Sequence, residues 1–188
     1  MCEIGCGAGE ILNCLNNELP AVQFSGYEIS PQAYEICRTK EKPNLHFFLK
    51  DLLEETELIF DVAAALDVFE HVEDYFAFLR KFRTKGKYKI FHIPLDLSVQ
   101  SVLRNSPILH SRKSVGHIHY FTKDTALATL IDSGYEIVDF FYTNGSSDLP
   151  NRGWKANLFK LPRKLLFLIH QDTAVRILGG SSLMVLAK

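Results

Sequence analysis

Short runs of apolar, β-branched and aromatic residues recur along the chain, separated by longer stretches whose apolar positions take helical spacing. Read in order, Ala21–Glu28, Leu45–Leu49, Leu58–Leu66, Lys89–Ile93, Tyr135–Tyr142 and Ser182–Ala187 predict strands, and Ile4 is the stub of an earlier one. Gly9–Asn17, Pro31–Thr39, Val72–Phe82 and Lys123–Ser133 predict helices. Ser30-Pro31 and Thr122 supply start signals. A hydroxyl at the cap accepts a free amide, and proline at the first helical position has no amide to leave unpaired.

This alternation predicts an α/β fold, doubly wound around a seven-stranded, mostly parallel sheet covered on both faces. The last two strands flank a long insertion, so an antiparallel pairing is expected there. Helical insertions are expected at about 97–120 and 146–180, within a single domain spanning residues 1–188.

Composition narrows the picture. The 188 residues carry 21 Lys+Arg against 22 Asp+Glu and are 47% hydrophobic, enough for one core and short for two. A net charge of −1 gives no basic surplus, which argues against a nucleic-acid partner. Apolar runs such as Val62–Leu66 and Leu165–Ile169 fall far short of the ~20 residues a membrane span needs. The start, Met1-Cys2-Glu3-Ile4-Gly5, has neither the basic residues nor the apolar run of a signal peptide, so a cytoplasmic location is expected. Cys2, Cys6, Cys14 and Cys37 form no CxxC pair and are expected to be reduced thiols.

The strongest chemical signal is Glu3-Ile4-Gly5-Cys6-Gly7-Ala8-Gly9-Glu10, a strand stub followed by a glycine turn that opens a helix. Such a turn lets backbone approach a ligand and offers free amides at the helix start. The dinucleotide fingerprint would need a third glycine where Glu10 stands, and a carboxylate there repels a pyrophosphate. Glu28 ends the second strand, where a carboxylate can accept both hydroxyls of a ribose. Together these predict an adenosine-type ligand that is not a dinucleotide.

At these residues the sequence resembles the class I S-adenosylmethionine-dependent methyltransferases. The resemblance is carried by EIGCGAGE (3–10), GYEIS (26–30), KDLLEE (50–55), FDVAAALDVFEHVEDYFAFLRKF (60–82) and GHIHYFTKDTALATLIDSGYEIVDFF (116–141), in the family's order. Within it, the D/E-V-x-E-H run after the fourth strand is similar to that of quinone-precursor O-methyltransferases. The resemblance implies S-adenosyl-L-methionine as cofactor, with Glu3, Gly5, Cys6 and Gly7 forming the turn beside its methionine moiety. It places Glu28 on the ribose, Asp51 and Leu52 at the adenine, and Asp67 near the methionine end. A rim of carboxylates suits a cationic sulfonium. Members of the family carry helices before the first strand. With Met1 inside that strand, these N-terminal helices are expected to be missing, with weakened cofactor affinity and exposed sheet surface as the consequence.

Methyl transfer to a hydroxyl needs alignment and a base. His117 and His119 flank Ile118 in the segment that walls the acceptor pocket of related enzymes, and both are candidate catalytic residues. Backbone pinning is the alternative for each. Asp67, Glu70 and His71 would share one face of a helical turn, and relatives acting on quinone precursors are proposed to bind a divalent metal with a similar run. A helix-start cluster without metal is the expectation here. His46 and His92 fall inside strands and read as structural; Asp96 is expected to cap a helix over Leu97–Leu103, with orienting an acceptor as the alternative.

The motif (N/D)-P-P-(Y/F) is absent after the fourth strand, where Asp67-Val68-Phe69-Glu70 stands, so a small-molecule acceptor, at oxygen, is expected over a nucleic-acid base. Pro162 starts a predicted helix ended by Gly179-Gly180, near Arg152, Trp154 and Lys155. It reads either as packing or as an interfacial helix giving access to a lipid-linked acceptor. The rivals are a cofactor-binding module without catalysis and a NAD-dependent oxidoreductase, the latter opposed by Glu10 and by the lack of a Tyr-x-x-x-Lys pair. Nothing in the sequence fixes the oligomeric state.

Overall fold

In the computed structural model, which describes residues 1–143 and 160–188, parallel strands fill the centre of one sheet and antiparallel strands close one side. The strands are β1 (Cys2–Ile4), β2 (Phe24–Glu28), β3 (Leu45–Leu49), β4 (Phe60–Leu66), β5 (Gly86–Pro94), β6 (Ile137–Thr143) and β7 (Ser182–Ala187). Their order is β3-β2-β1-β4-β5-β7-β6. β1 pairs in parallel with both β2 and β4, and β7 lies antiparallel between β5 and the edge strand β6. The chain thus reverses its winding between β1 and β4. In open α/β sheets, ligands bind at the carboxyl ends of the strands beside such a reversal.

The helices are α1 (Glu10–Glu18), α2 (Pro31–Cys37), α3 (Tyr75–Phe82), α4 (Val99–Arg104), α5 (Ser106–Ser114), α6 (Lys123–Asp132), α7 (Lys160–Ile169) and α8 (Gln171–Leu178). The start signals work as chemistry requires: the Ser30 hydroxyl accepts from the Ala33 amide with Pro31 behind it, and Thr122 forms a capping box with Thr125. Two buried clusters hold the sheet. One gathers Phe69, Phe82, Phe91, Ile93, Leu130 and Leu183 around β4, β5 and β7; the other packs Leu12, Phe24, Leu45 and Phe47 under α1 and β3.

Beyond shifts of a few residues at element ends, the helices depart from the sequence expectation in three places. The helix expected over Val72–Phe82 starts later, capped by Asp74, and Phe69–His71 forms a separate single 3₁₀ turn. Ser98, not Asp96, caps the next helix through a capping box with Ser101, so the Asp96 side chain is released for other partners. The insertion helix expected from Pro162 breaks in two at His170, whose Nδ1 accepts from the Thr173 amide at 3.2 Å and caps α8. Pro162 lies in the first turn of α7, where a missing amide removes no intrahelical bond. Arg152, Trp154 and Lys155 lie outside the described residues. All four cysteines are free thiols, with Cys2, Cys6 and Cys37 buried.

Candidate active site

The turn after β1 is built from close contacts. Gly5, Gly7 and Gly9 all adopt positive φ (66°, 53° and 75°), a region L side chains rarely enter. A Cβ on Gly9 would lie 2.7 Å from the Phe47 ring and 2.8 Å from Cys37 Cβ, so only glycine lets α1 begin this close to the sheet. A Cβ on Gly7 would meet nothing within 4 Å; that residue faces open space. The amides of Gly5 and Cys6 both donate to the Tyr27 carbonyl, which ties the turn to β2.

Glu28, at the end of β2 and 8% exposed, joins two loops. Its Oε2 accepts from the Gly7 amide at 2.8 Å, and its Oε1 accepts from the amides of Ile29 and Ser30, each at 2.8 Å. Glu3 lies beside it, 3% exposed, with Oε2 buried and unpartnered. Burial, reinforced by the charge of Glu28, pushes the Glu3 carboxyl up to about 7. Two carboxylates are therefore held together with one of them short of partners, an arrangement that attracts a cation or a hydrogen-bond donor. Asp51 accepts from the Leu53 amide at 2.8 Å and caps a 3₁₀ turn, Leu52–Glu54, in which Leu52 is fully buried.

Asp67 departs from its expected place. It does not share a helical face with Glu70 and His71, because its φ of 53° swings the chain into a left-handed turn at the end of β4. Its Oδ1 instead accepts from His92 Nδ1 at 2.7 Å. A carboxylate can only accept, so Nδ1 carries a proton, while Nε2 hydrogen-bonds with the Thr143 hydroxyl at 2.8 Å. His92 is thus not an isolated strand residue but the link between the ends of β4, β5 and β6. The sequence places His92 in a strand as a structural residue, which it is, but does not foresee Asp67 and Thr143 as its partners. No sequence signal joins them, because the pairing of Leu66 with His92 across β4 and β5 is set by the register of the folded sheet.

A second cluster forms where the segment after α5 docks on the 3₁₀ turn. The amides of Ile118 and His119 donate to the Glu70 carbonyl, bringing His117 against His71 with ring centroids 5.0 Å apart. His71 Nδ1 donates to the Gly116 carbonyl at 3.1 Å, and His117 Nδ1 donates to Asp96 Oδ2 at 2.6 Å. Asp96 Oδ1 is held by the Ser111 hydroxyl at 3.1 Å. The Glu70 side chain is fully buried between them, and neither carboxylate oxygen has a hydrogen-bond partner of good geometry. Burial pushes its carboxyl up to about 8, its own amide offsetting part of this and Asp67 and Asp96 adding to it. His119 sits apart from the pair: its Nε2 donates to the carbonyls of Val72 and Glu73 at 2.9 and 3.3 Å, and its ring meets Tyr75.

The expected cofactor residues therefore fall into one region. Glu3, Gly5, Cys6, Gly7 and Glu28 surround the ends of β1 and β2; Asp67 ends β4 next to β1; Asp51 and Leu52 follow β3. Val68 bridges the two sides, since a Cβ on Gly5 would lie 3.0 Å from its Cγ2.

Comparison with known proteins agrees with this fold. A family model described as a methyltransferase domain matches residues 2–85. Among solved structures, a magnesium protoporphyrin IX methyltransferase from Synechocystis PCC 6803 with bound S-adenosylhomocysteine superposes with a TM-score of 0.65. It is 16% identical, over 99% of this chain and 72% of that one. An S-adenosylmethionine-dependent methyltransferase from Archaeoglobus fulgidus gives a TM-score of 0.66 at 18% identity, over 100% of this chain and 84% of that one. A cyclopropane synthase from Mycobacterium tuberculosis gives 0.65 at 12% identity, over 100% and 77% respectively. No curated protein matches the sequence.

Proposed function

We propose that this chain, which has the class I methyltransferase fold and carries a methyltransferase-domain match over residues 2–85, moves a methyl group from S-adenosylmethionine to an oxygen of a small-molecule acceptor. The observation that carries the reading is the pairing of Glu28 with the Gly7 amide beside the buried Glu3, whose Oε2 has no hydrogen-bond partner. A carboxylate at the end of β2, joined to a glycine turn at the end of β1, suits an adenosine ribose on one side and a cationic sulfonium on the other.

When bound, the cofactor supplies a methyl group on a sulfonium that leaves as a neutral thioether. The protein's part is to hold and orient. Glu28 takes the ribose hydroxyls, the open face of Gly7 admits the methionine portion, and Asp51 with Leu52 borders the adenine. Glu3 and Asp67 supply negative potential toward the sulfonium, which strengthens as water is excluded. In-line displacement then needs the acceptor oxygen aligned and relieved of its proton. His117 is the histidine best prepared for that proton: Asp96 fixes its Nδ1–H and leaves Nε2 as the basic nitrogen. With the cofactor bound, His117 Nε2 would take the acceptor's proton while the cofactor would supply the methyl group to oxygen and keep the sulfur electron pair. The different chemistries named for the similar structures, a porphyrin methyltransferase and a cyclopropane synthase, mean that the fold leaves the acceptor open.

Calorimetry with S-adenosylhomocysteine, with NADH as comparator, tests the first half. Saturable binding of the former alone is expected; binding of NADH alone would reverse the assignment. Turnover of labelled S-adenosylmethionine on a panel of phenols, catechols and carboxylic acids tests the second. Cofactor binding with turnover only on amine or carbon acceptors would overturn the choice of oxygen.

A further inference from the structure

The cluster of Glu70, His71 and His117 is a better prepared site than the methyl-transfer chemistry alone requires. The run Asp67–His71 resembles one proposed to bind a divalent metal in relatives acting on quinone precursors, and the three side chains of that run do not form one site here. Asp67 is turned away, half exposed and committed to His92. Glu70 and His71 remain, and the third group that meets them is His117, from a segment more than forty residues along the chain. One potential ligand atom from each of these three lies within 4.8 Å of the others.

We propose that Glu70, His71 and His117 form a binding site for one divalent transition-metal ion, with His117 in the place that the sequence run would assign to Asp67. Three features of the structure support this. Both imidazoles have their Nδ1–H already spent on oxygen acceptors, the Gly116 carbonyl and the Asp96 carboxylate, so both Nε2 atoms carry free lone pairs. That outer hydrogen bond, to a carboxylate or a carbonyl, is what metal-ligating histidines almost always have. Glu70 is fully buried with both oxygens unpartnered, a state that is costly unless an ion or a proton occupies it. Asp67 and Asp96 add negative potential at Glu70, which favours a cation further.

The geometry needs only a small contraction. Two ligands each about 2.1 Å from a shared ion stand at most about 4.2 Å apart, against the 4.8 Å limit here. His71 Nε2 is already 3.9 Å from Glu70 Oε1. Two imidazoles and one carboxylate select zinc, manganese, cobalt or iron over magnesium, which prefers oxygen donors and keeps its waters. An ion on His117 Nε2 would take the lone pair offered above as a base. Acceptor activation would then pass from proton transfer to polarisation of an oxygen at the ion's open positions. Metal binding itself does not depend on the methyl-transfer reading.

The test is a titration of the chelator-stripped, desalted protein with Co²⁺, without cofactor. One equivalent is expected to give the visible ligand-field bands of a nitrogen–oxygen site of low coordination number, and Zn²⁺ is expected to abolish them by competition while Mg²⁺ is not. Glu70→Gln and His117→Ala, checked for folding by circular dichroism, are expected to weaken Co²⁺ binding at least tenfold, and Asp67→Asn to change it less than threefold. Absence of saturable binding to the wild type overturns the proposal even if a variant fails to fold. So do sulfur-to-cobalt charge-transfer bands, which would place the ion at cysteine, and so does loss of binding in Asp67→Asn with retention in His117→Ala. Because none of these readouts involves S-adenosylmethionine, failure here is distinguishable from failure of the cofactor assignment.

Discussion

Glu28 Oε2 accepts the Gly7 amide at 2.8 Å, so the acidic residue at the end of β2 holds the glycine turn at the end of β1 in shape. With the Ile29 and Ser30 amides on Oε1, three backbone donors use a carboxylate that offers about four lone-pair sites. Two ribose hydroxyls cannot both be added without releasing one donor. Gly7 is the only one of the three from a different loop, and its amide is expected to be released. Amide hydrogen exchange at Gly7 should change on adding S-adenosylhomocysteine, while that of Ile29 and Ser30 stays protected.

Removing this carboxylate has two separable effects. Glu28→Gln turns one acceptor into a donor facing a donor, and leaving buried amides unpaired costs about 1–3 kcal/mol. A lowered denaturant midpoint is therefore expected together with at least a tenfold loss of S-adenosylhomocysteine affinity by calorimetry. Unchanged affinity in a folded Glu28→Gln protein would remove Glu28 from the ribose.

Glu3 gives the pH dependence. Its carboxyl titrates at about 7 in the folded chain, raised by burial first and by Glu28 second, against about 4.5 when free. The folded state holds the proton more tightly, so this group's stabilisation is full below pH ~4.5 and is lost as pH rises through 7. Over that window the difference is of order 3 kcal/mol, the worth of the shift at about 1.4 kcal/mol per unit. Glu3→Gln should flatten the stability profile between pH 5 and 8 in thermal unfolding. Binding of a sulfonium favours the ionised form, so S-adenosylmethionine affinity should rise with pH across the same range in wild type and not in the variant.

The glycine turn separates packing from binding. Gly9→Ala places a methyl group against Phe47 and Cys37 and in a left-handed conformation, costs of about 1–3 and 1–2 kcal/mol. Gly7→Ala incurs only the conformational cost, because the added carbon meets nothing within 4 Å. Denaturant unfolding should rank Gly9→Ala as clearly the less stable. Cofactor titration should show the larger affinity loss for Gly7→Ala, whose methyl projects into the space offered to the ligand. The reverse order of stability would contradict the packing at Gly9, and the reverse order of affinity would misplace the cofactor.

What could be read in advance follows from how local each determinant is. The glycine turn, Glu28 and the caps at Ser30 and Thr122 depend on neighbours within a few residues, and strand–helix alternation alone carries the winding of the sheet. The helix expected at Leu97 shows the limit: Asp96 is a sound cap by type, yet Ser98, two residues on, has Ser101 to complete a reciprocal pair and takes the role. The freed Asp96 then orients His117. His92 is tied to Asp67, 25 residues away, and to Thr143, 51 residues away, only because β5 lies beside β4 and β7 carries β6 alongside. The meeting of Glu70 with His117 likewise rests on two backbone bonds between distant loops, from the amides of Ile118 and His119 to the Glu70 carbonyl. No periodicity encodes such pairings; they are products of register and docking.

Asp67 offers the sharpest test of the electrostatic part of the cofactor reading. Asparagine keeps an oxygen to accept from His92 Nδ1, and like aspartate it tolerates the left-handed conformation at φ 53°. Asp67→Asn should therefore change the thermal midpoint little. What it removes is a charge. S-adenosylmethionine is cationic at sulfur and S-adenosylhomocysteine is not, so loss of Asp67's charge should weaken the first and leave the second nearly unchanged. Half-exposed as Asp67 is, solvent screening holds the effect to about 1 kcal/mol, or roughly fivefold in the ratio of the two dissociation constants. Calorimetric titration of both ligands against wild type and Asp67→Asn measures that ratio directly. Equal weakening of the two would mean that Asp67 shapes the pocket through His92 without attracting the sulfonium. A ratio unchanged, with both affinities intact, would place the methionine end of the cofactor away from β4.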